Sequence, residues 1–136
     1  MVIASTRDPA VLRDQLTEWF RATLPAGADP QVSEVASPSG TGMSSETLLF
    51  DVTATLDGER TTRAYAARLP PAEVDHPVFP SYDLELQFRC LRLVREYSDV
   101  PVPSAPWWEP DPTALGSPFF VMERVDGIVA SDNPPY

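Results

Sequence analysis

Apolar residues recur at helical spacing near the start of the chain, at Leu12, Leu16, Trp19, Phe20 and Leu24. Asp8 stands where a cap belongs, Pro9 suits a first helical position, and Pro25 stops the pattern. An amphipathic helix over 8–24 is predicted, its apolar stripe packing on whatever follows. Gln31 to Ala36 alternates weakly, Ser37 to Ser45 is a loop of small residues, and Thr47 to Leu56 is apolar and β-branched. Asp57-Gly58 signals a hairpin, followed by a third strand from Thr61 to Leu69 with Tyr65, Ala67 and Leu69 on one face. Pro70 and Pro71 end it.

A proline-bounded loop over 71–80 carries His76. Leu84, Phe88, Leu91 and Val94 then predict a second helix within Ser81–Tyr97, with Ser81 as its cap. Short strands are expected at Ala105–Glu109 and Pro118–Arg124, joined by the turn Pro110 to Gly116. On the first of these, alternation sends one of Trp107 and Trp108 inward while its neighbour covers a loop or solvent. Cys90, near the apolar helix face, reads as a buried thiol. His76 reads as a surface residue. The sum is an α+β fold: a five-stranded antiparallel sheet with an N-terminal helix and a helix after the third strand.

Composition narrows the chemistry. With 136 residues, 43% of them apolar, there is material for one domain with a modest core and not for two. The net charge of −10 repels polyanions, so nucleic acid is not an expected partner. There is no lysine, which excludes Schiff-base catalysis and the Walker-type phosphate loop. A single cysteine forms no internal disulfide and a single histidine builds no structural zinc site. No run approaches the ~20 apolar residues of a membrane span, and the N-terminal apolar run is too short for a signal peptide. A cytoplasmic protein without a membrane partner is expected. The sixteen prolines gather at element ends, where they act as punctuation.

Four segments carry a resemblance: Gly40-Thr-Gly-Met-Ser-Ser-Glu-Thr-Leu-Leu-Phe50, Tyr65-Ala-Ala-Arg-Leu-Pro-Pro71, Asp99-Val-Pro-Val-Pro103, and Leu115-Gly-Ser-Pro-Phe-Phe-Val-Met-Glu-Arg-Val-Asp-Gly127. In their order, from about Val32 to Gly127, they resemble the aminoglycoside phosphotransferase-like (choline-kinase-like) phosphotransferases, particularly the bacterial and acyl-CoA-dehydrogenase-associated branch. The resemblance implies a protein-kinase-like small lobe over 31–127. Residues 1–30 would be an N-terminal helix and linker packing on it, and 128–136 the start of a connection to a second lobe.

The resemblance also implies roles. Gly40 and Gly42 would let backbone approach the phosphates of ATP, and Ser44 and Ser45 would supply N–H and O–H donors, Ser45 standing where a third glycine is more usual in protein kinases. Arg68 would meet the α- and β-phosphates in place of the kinase lysine, through a planar fork; Arg63 is a weaker candidate. Gln87 falls where the partner glutamate is normally found. Either Gln87 orients Arg68, or Glu85 does so after a register adjustment, or nucleotide binding is weakened, since a charge-assisted bond is about twice as strong as a neutral one. Two residues along a helix turn a side chain by about 200°, which favours Gln87. Met122 would be gatekeeper-like, and adenine would meet the Glu123 carbonyl and the Val125 N–H.

Transfer of the ATP γ-phosphate, with Mg²⁺, to a hydroxyl acceptor further needs a catalytic-loop aspartate and metal-binding carboxylates, which the resemblance assigns to a second, helical lobe. No His-Gly-Asp or His-Arg-Asp stands in these 136 residues. The expectation is therefore the nucleotide-binding lobe of a longer small-molecule kinase or a truncated product of one, inactive alone, associating with its C-lobe or with itself through an exposed hinge face. The competing expectation is a non-catalytic nucleotide-binding or interaction module with the same small-lobe shape.

Overall fold

The computed structural model describes residues 8–37, 46–70 and 83–127. Within them the chain runs α1 (Pro9–Thr23), β1 (Gln31–Val32), β2 (Glu46–Leu56), β3 (Glu59–Leu69), α2 (Leu84–Tyr97), β4 (Trp107–Glu109) and β5 (Phe119–Glu123). The fold is α+β. Its five strands form one antiparallel sheet in the order β1-β2-β3-β5-β4. Gly40, Gly42, Ser44, Ser45, His76 and Ser81 lie outside the described residues.

Asp8 caps α1 as its position suggests, its side chain accepting the Ala10 N–H at 2.9 Å. Pro9 sits in the first turn, where its missing N–H costs no hydrogen bond. For α2 the cap is Asp83, which accepts the Leu86 N–H at 2.9 Å. The helix thus starts later than a cap at Ser81 would have it. No helix among the described residues is long and apolar enough to cross a membrane.

The hairpin turn is Asp57-Gly58, with φ of 52° and 78°. Two left-handed residues give the turn whose twist matches that of the strands, and glycine adopts that region without a Cβ penalty. Pairing continues from Leu56 opposite Glu59 to Glu46 opposite Leu69, so β2 and β3 are each longer than the apolar pattern alone suggests. β1 is shorter. Val32 pairs with Val52 but Ala36 pairs with Leu49, one residue out of step. Ser33 sits at the break, giving its N–H to the Asp51 carbonyl at 2.9 Å and accepting the Asp51 N–H on its hydroxyl at 2.8 Å. This is a bulge, and it ends the regular ladder.

Alternation along the strands makes two separate cores. Leu48, Phe50 and Val52 of β2, Tyr65, Ala67 and Leu69 of β3, and Phe119 and Val121 of β5 meet the apolar stripe of α1. Phe120, with Ala105, meets Leu84 and Phe88 of α2 on the opposite face, and Leu91, Trp108 and Met122 flank them. Trp107 joins the first core and Trp108 the second, its ring stacked on Phe88 at 6.2 Å. Neither tryptophan merely covers a loop, because each face of the sheet has its own helix. Cys90 corrects another expectation: it is exposed. It lies about 200° around the helix from buried Phe88.

Candidate functional site

Strand register assembles the α2 face of the sheet in rows. Leu49, Ala66 and Met122 are opposite one another across β2, β3 and β5, and Thr47, Arg68, Phe120 and Trp108 form the adjacent row. Side chains in such rows share a face. Arg68 therefore projects toward α2, where Gln87 meets it. The Arg68 Nη1 donates to Gln87 Oε1 at 3.3 Å. Arg68 Nε is buried with no hydrogen-bond partner among the described residues.

The helix register decides between the two possible partners. Gln87 is half-buried one residue before Phe88, while Glu85 points outward and is exposed. Of the two candidate partners, Gln87 is the one within hydrogen-bond distance of Arg68. Arg63 is five residues from Arg68 on the same strand, so it emerges on the α1 face and reaches a different surface.

A cavity of about 470 Å³ lies beside the Arg68–Gln87 pair, walled by Leu91 and Val94 of α2 and by Phe120 and Met122 of β5. Cys90 also borders it. The cavity therefore combines one cation, one amide and an otherwise apolar lining. Glu123 ends β5, its N–H bonded to the Ser104 carbonyl at 2.8 Å, and Val125 follows as an exposed residue. Arg124 between them is tied to Asp51 at 3.3 Å and to Asp126 at 3.6 Å. Arg68, Gln87 and Met122 thus come together at one cavity, and Glu123 and Val125 continue from its strand.

No protein-family model matches the chain. One relative is a probable acyl-CoA dehydrogenase, IBR3, of Arabidopsis thaliana, 28% identical over 96 residues. The match covers 71% of this chain and 11% of that protein, so the chain spans only a small part of the relative's length.

Phe120, which lines the cavity with Met122, was not singled out as a site residue by sequence. Its signal is the cross-strand register, which needs the hairpin turn and the β3–β5 pairing before it can be read. The arrangement suits an anion carried on a flat apolar body. The guanidinium has N–H groups beyond the one given to Gln87, the unpartnered Nε among them, and the apolar walls can take a ring. Among the described residues no group of three or more His, Cys, Asp or Glu is placed to hold a metal ion.

Proposed function

We propose that the chain is the ATP-binding N-terminal lobe of a small-molecule phosphotransferase of the aminoglycoside phosphotransferase-like family, with a protein-kinase-like small-lobe fold. The Arg68–Gln87 hydrogen bond at the mouth of the cavity carries this reading. It joins the third strand to the following helix at the two positions where the resemblance puts a phosphate-binding cation and the group that orients it. The strand order, with α2 between β3 and β4, and Met122 on the same cavity support it further. The match to part of a probable acyl-CoA dehydrogenase supports the acyl-CoA-dehydrogenase-associated branch.

In this reading Arg68 binds the α- and β-phosphates, Gln87 holds its fork in place, and Gly40, Gly42, Ser44 and Ser45 close over the phosphates. Adenine lies against Met122, bonded to the Glu123 carbonyl and the Val125 N–H. ATP supplies the phosphoryl group, and Mg²⁺ accompanies it. A second lobe brings the carboxylates and the hydroxyl acceptor, and the setting is cytoplasmic. A non-catalytic nucleotide-binding or interaction module is the second reading. Gln87 favours it, because a neutral amide holds a guanidinium less firmly than a carboxylate does.

Thermal unfolding with and without Mg-ATP tests the proposal. A ligand that binds only the folded chain raises its stability by about 2.7 kcal/mol at a hundredfold excess over Kd. The expected result is a rise in Tm that keeps growing with the logarithm of Mg-ATP concentration, that Arg68→Ala abolishes and that Gln87→Glu preserves or increases. Absence of any nucleotide effect on a folded chain would leave the interaction module in front.

A further inference from the structure

α2 carries a second apolar strip, on the side away from the sheet. Leu86, Cys90, Leu93 and Tyr97 follow one another at steps of four, three and four residues, within about 60° of helix arc. All are exposed, Leu86 at 56%, Leu93 at 54% and Tyr97 at 76%. These steps are those of a coiled-coil seam, with Leu86 and Leu93 at one seam position and Cys90 and Tyr97 at the other. Buried Leu84 and Phe88 lie on the opposite side. One helix thus has two apolar faces, and the sheet covers one of them.

The charges around the strip fit a second copy of the same helix. The chain as a whole carries −10, whereas α2 with its cap balances Asp83, Glu85 and Glu96 against Arg89, Arg92 and Arg95. Two copies can therefore meet here without the repulsion that the rest of the surface imposes. Arg92 lies over the Phe88 ring at 5.5 Å, and Arg95 donates to the Val102 carbonyl at 3.1 Å. Arg89 and Glu96, by contrast, form no ion pair among the described residues. They flank the strip on the same side, seven residues apart. Two such helices packed antiparallel bring like flanks together in reverse order, which sets Arg89 of each copy against Glu96 of the other. The same order sets Leu86 against Tyr97 and Cys90 against Leu93.

We propose that the exposed face of α2 is a homodimerisation surface, on which two copies pack their α2 helices antiparallel about a twofold axis. Such an interface is isologous and closes on itself, so association stops at the dimer. A pair of 14-residue helices is a small contact beside the roughly 1,200 Å² of a stable complex, which makes the dimer weak, with a Kd of about 10–100 μM. This surface is not the hinge face, and it does not depend on the nucleotide reading.

Sedimentation equilibrium of the 136-residue chain, from about 1 μM to about 1 mM, tests the surface. The mass is expected to rise from monomer to dimer and no further. Leu93→Glu weakens the dimer by at least about tenfold and leaves Tm unchanged, because that side chain is already exposed. Val11→Glu, at an exposed valine of α1, has no effect on association. Arg89→Glu weakens the dimer by about fivefold at low salt, and adding Glu96→Arg restores it. A chain that stays monomeric throughout overturns the proposal and leaves the strip to a partner of different sequence. A dimer that survives Leu93→Glu overturns it as well, and a loss in Arg89→Glu that Glu96→Arg does not repair overturns the antiparallel order. Failure of the chain to bind nucleotide would change none of these outcomes.

Discussion

The two faces of one sheet are built to different standards. On the α1 face, Phe20 has no exposed surface and its ring meets Trp19 at 4.9 Å, Trp107 at 5.4 Å, Phe50 at 6.0 Å and Tyr65 at 6.1 Å. Trp19 is anchored as well, its indole N–H bonded to Glu109 Oε1 at 3.0 Å. On the α2 face only Leu84 and Phe88 of the helix are buried, and a cavity separates Arg68 and Gln87 from a full apolar contact. Interlocked aromatic edges hold the first face, whereas one guanidinium–amide hydrogen bond and a few apolar contacts hold the second. The face with the denser aromatic packing supplies more of the stability.

The strongest test of that contrast is a matched pair of truncations. Phe20→Ala opens a void in a closed aromatic cluster and is expected to cost about 3–5 kcal/mol. Phe88→Ala is expected to cost about 2 kcal/mol, because its surroundings border a cleft and the loss is mainly the transfer term. Denaturant unfolding measures both, and equal losses would break the comparison.

Asp83→Ala removes the α2 cap and is expected to cost about 1 kcal/mol. Hydrogen exchange should then rise in the first turn of α2 and stay unchanged in α1; a rise in both would mean that the two helices unfold together.

The smallest effect is one of pH. Burial pushes the Tyr65 hydroxyl above its ordinary value, partly offset by the charge and hydrogen bond of Arg63, while Glu123 adds to the rise. A group whose folded pKa is raised holds its proton longer in the native state than in the unfolded one, so its stabilisation is complete below about pH 10 and fades as pH climbs through the folded value. Alkaline unfolding should therefore begin on the α1 face, and Tyr65→Phe should flatten that part of the stability profile. An unchanged profile in the variant would assign the alkaline loss elsewhere.

Much of this architecture is legible in the chain. The stripe Leu12, Leu16, Trp19 and Phe20 is the buried face of α1, and Asp57-Gly58 is the hairpin turn, because periodicity and turn chemistry are local. The meeting of Arg68 and Gln87 was an expectation of the family resemblance, and the 100° step of a helix favoured Gln87 over Glu85. Where local rules gave out, a tertiary partner decided. The bulge at Ser33 depends on the Asp51 backbone of another strand, Trp108 is covered because α2 crosses its face, and Cys90 is exposed because the buried arc of α2 is narrow.

The unequal strand lengths have a consequence for solubility. β5 pairs with β3 only from Tyr65 to Arg68, and Arg124 adds one further bond to the Ala64 carbonyl. Beyond that point, among the described residues, the flank of β3 from Glu59 to Arg63 extends past its neighbour, the geometry that invites another chain to add a strand. The residues there are Glu59, Arg60, Thr61, Thr62 and Arg63, and Arg60 is further drawn back to the Asp29 carbonyl at 3.4 Å. Charge along that open flank makes strand addition costly, so the long hairpin can project beyond the sheet without becoming a template for aggregation.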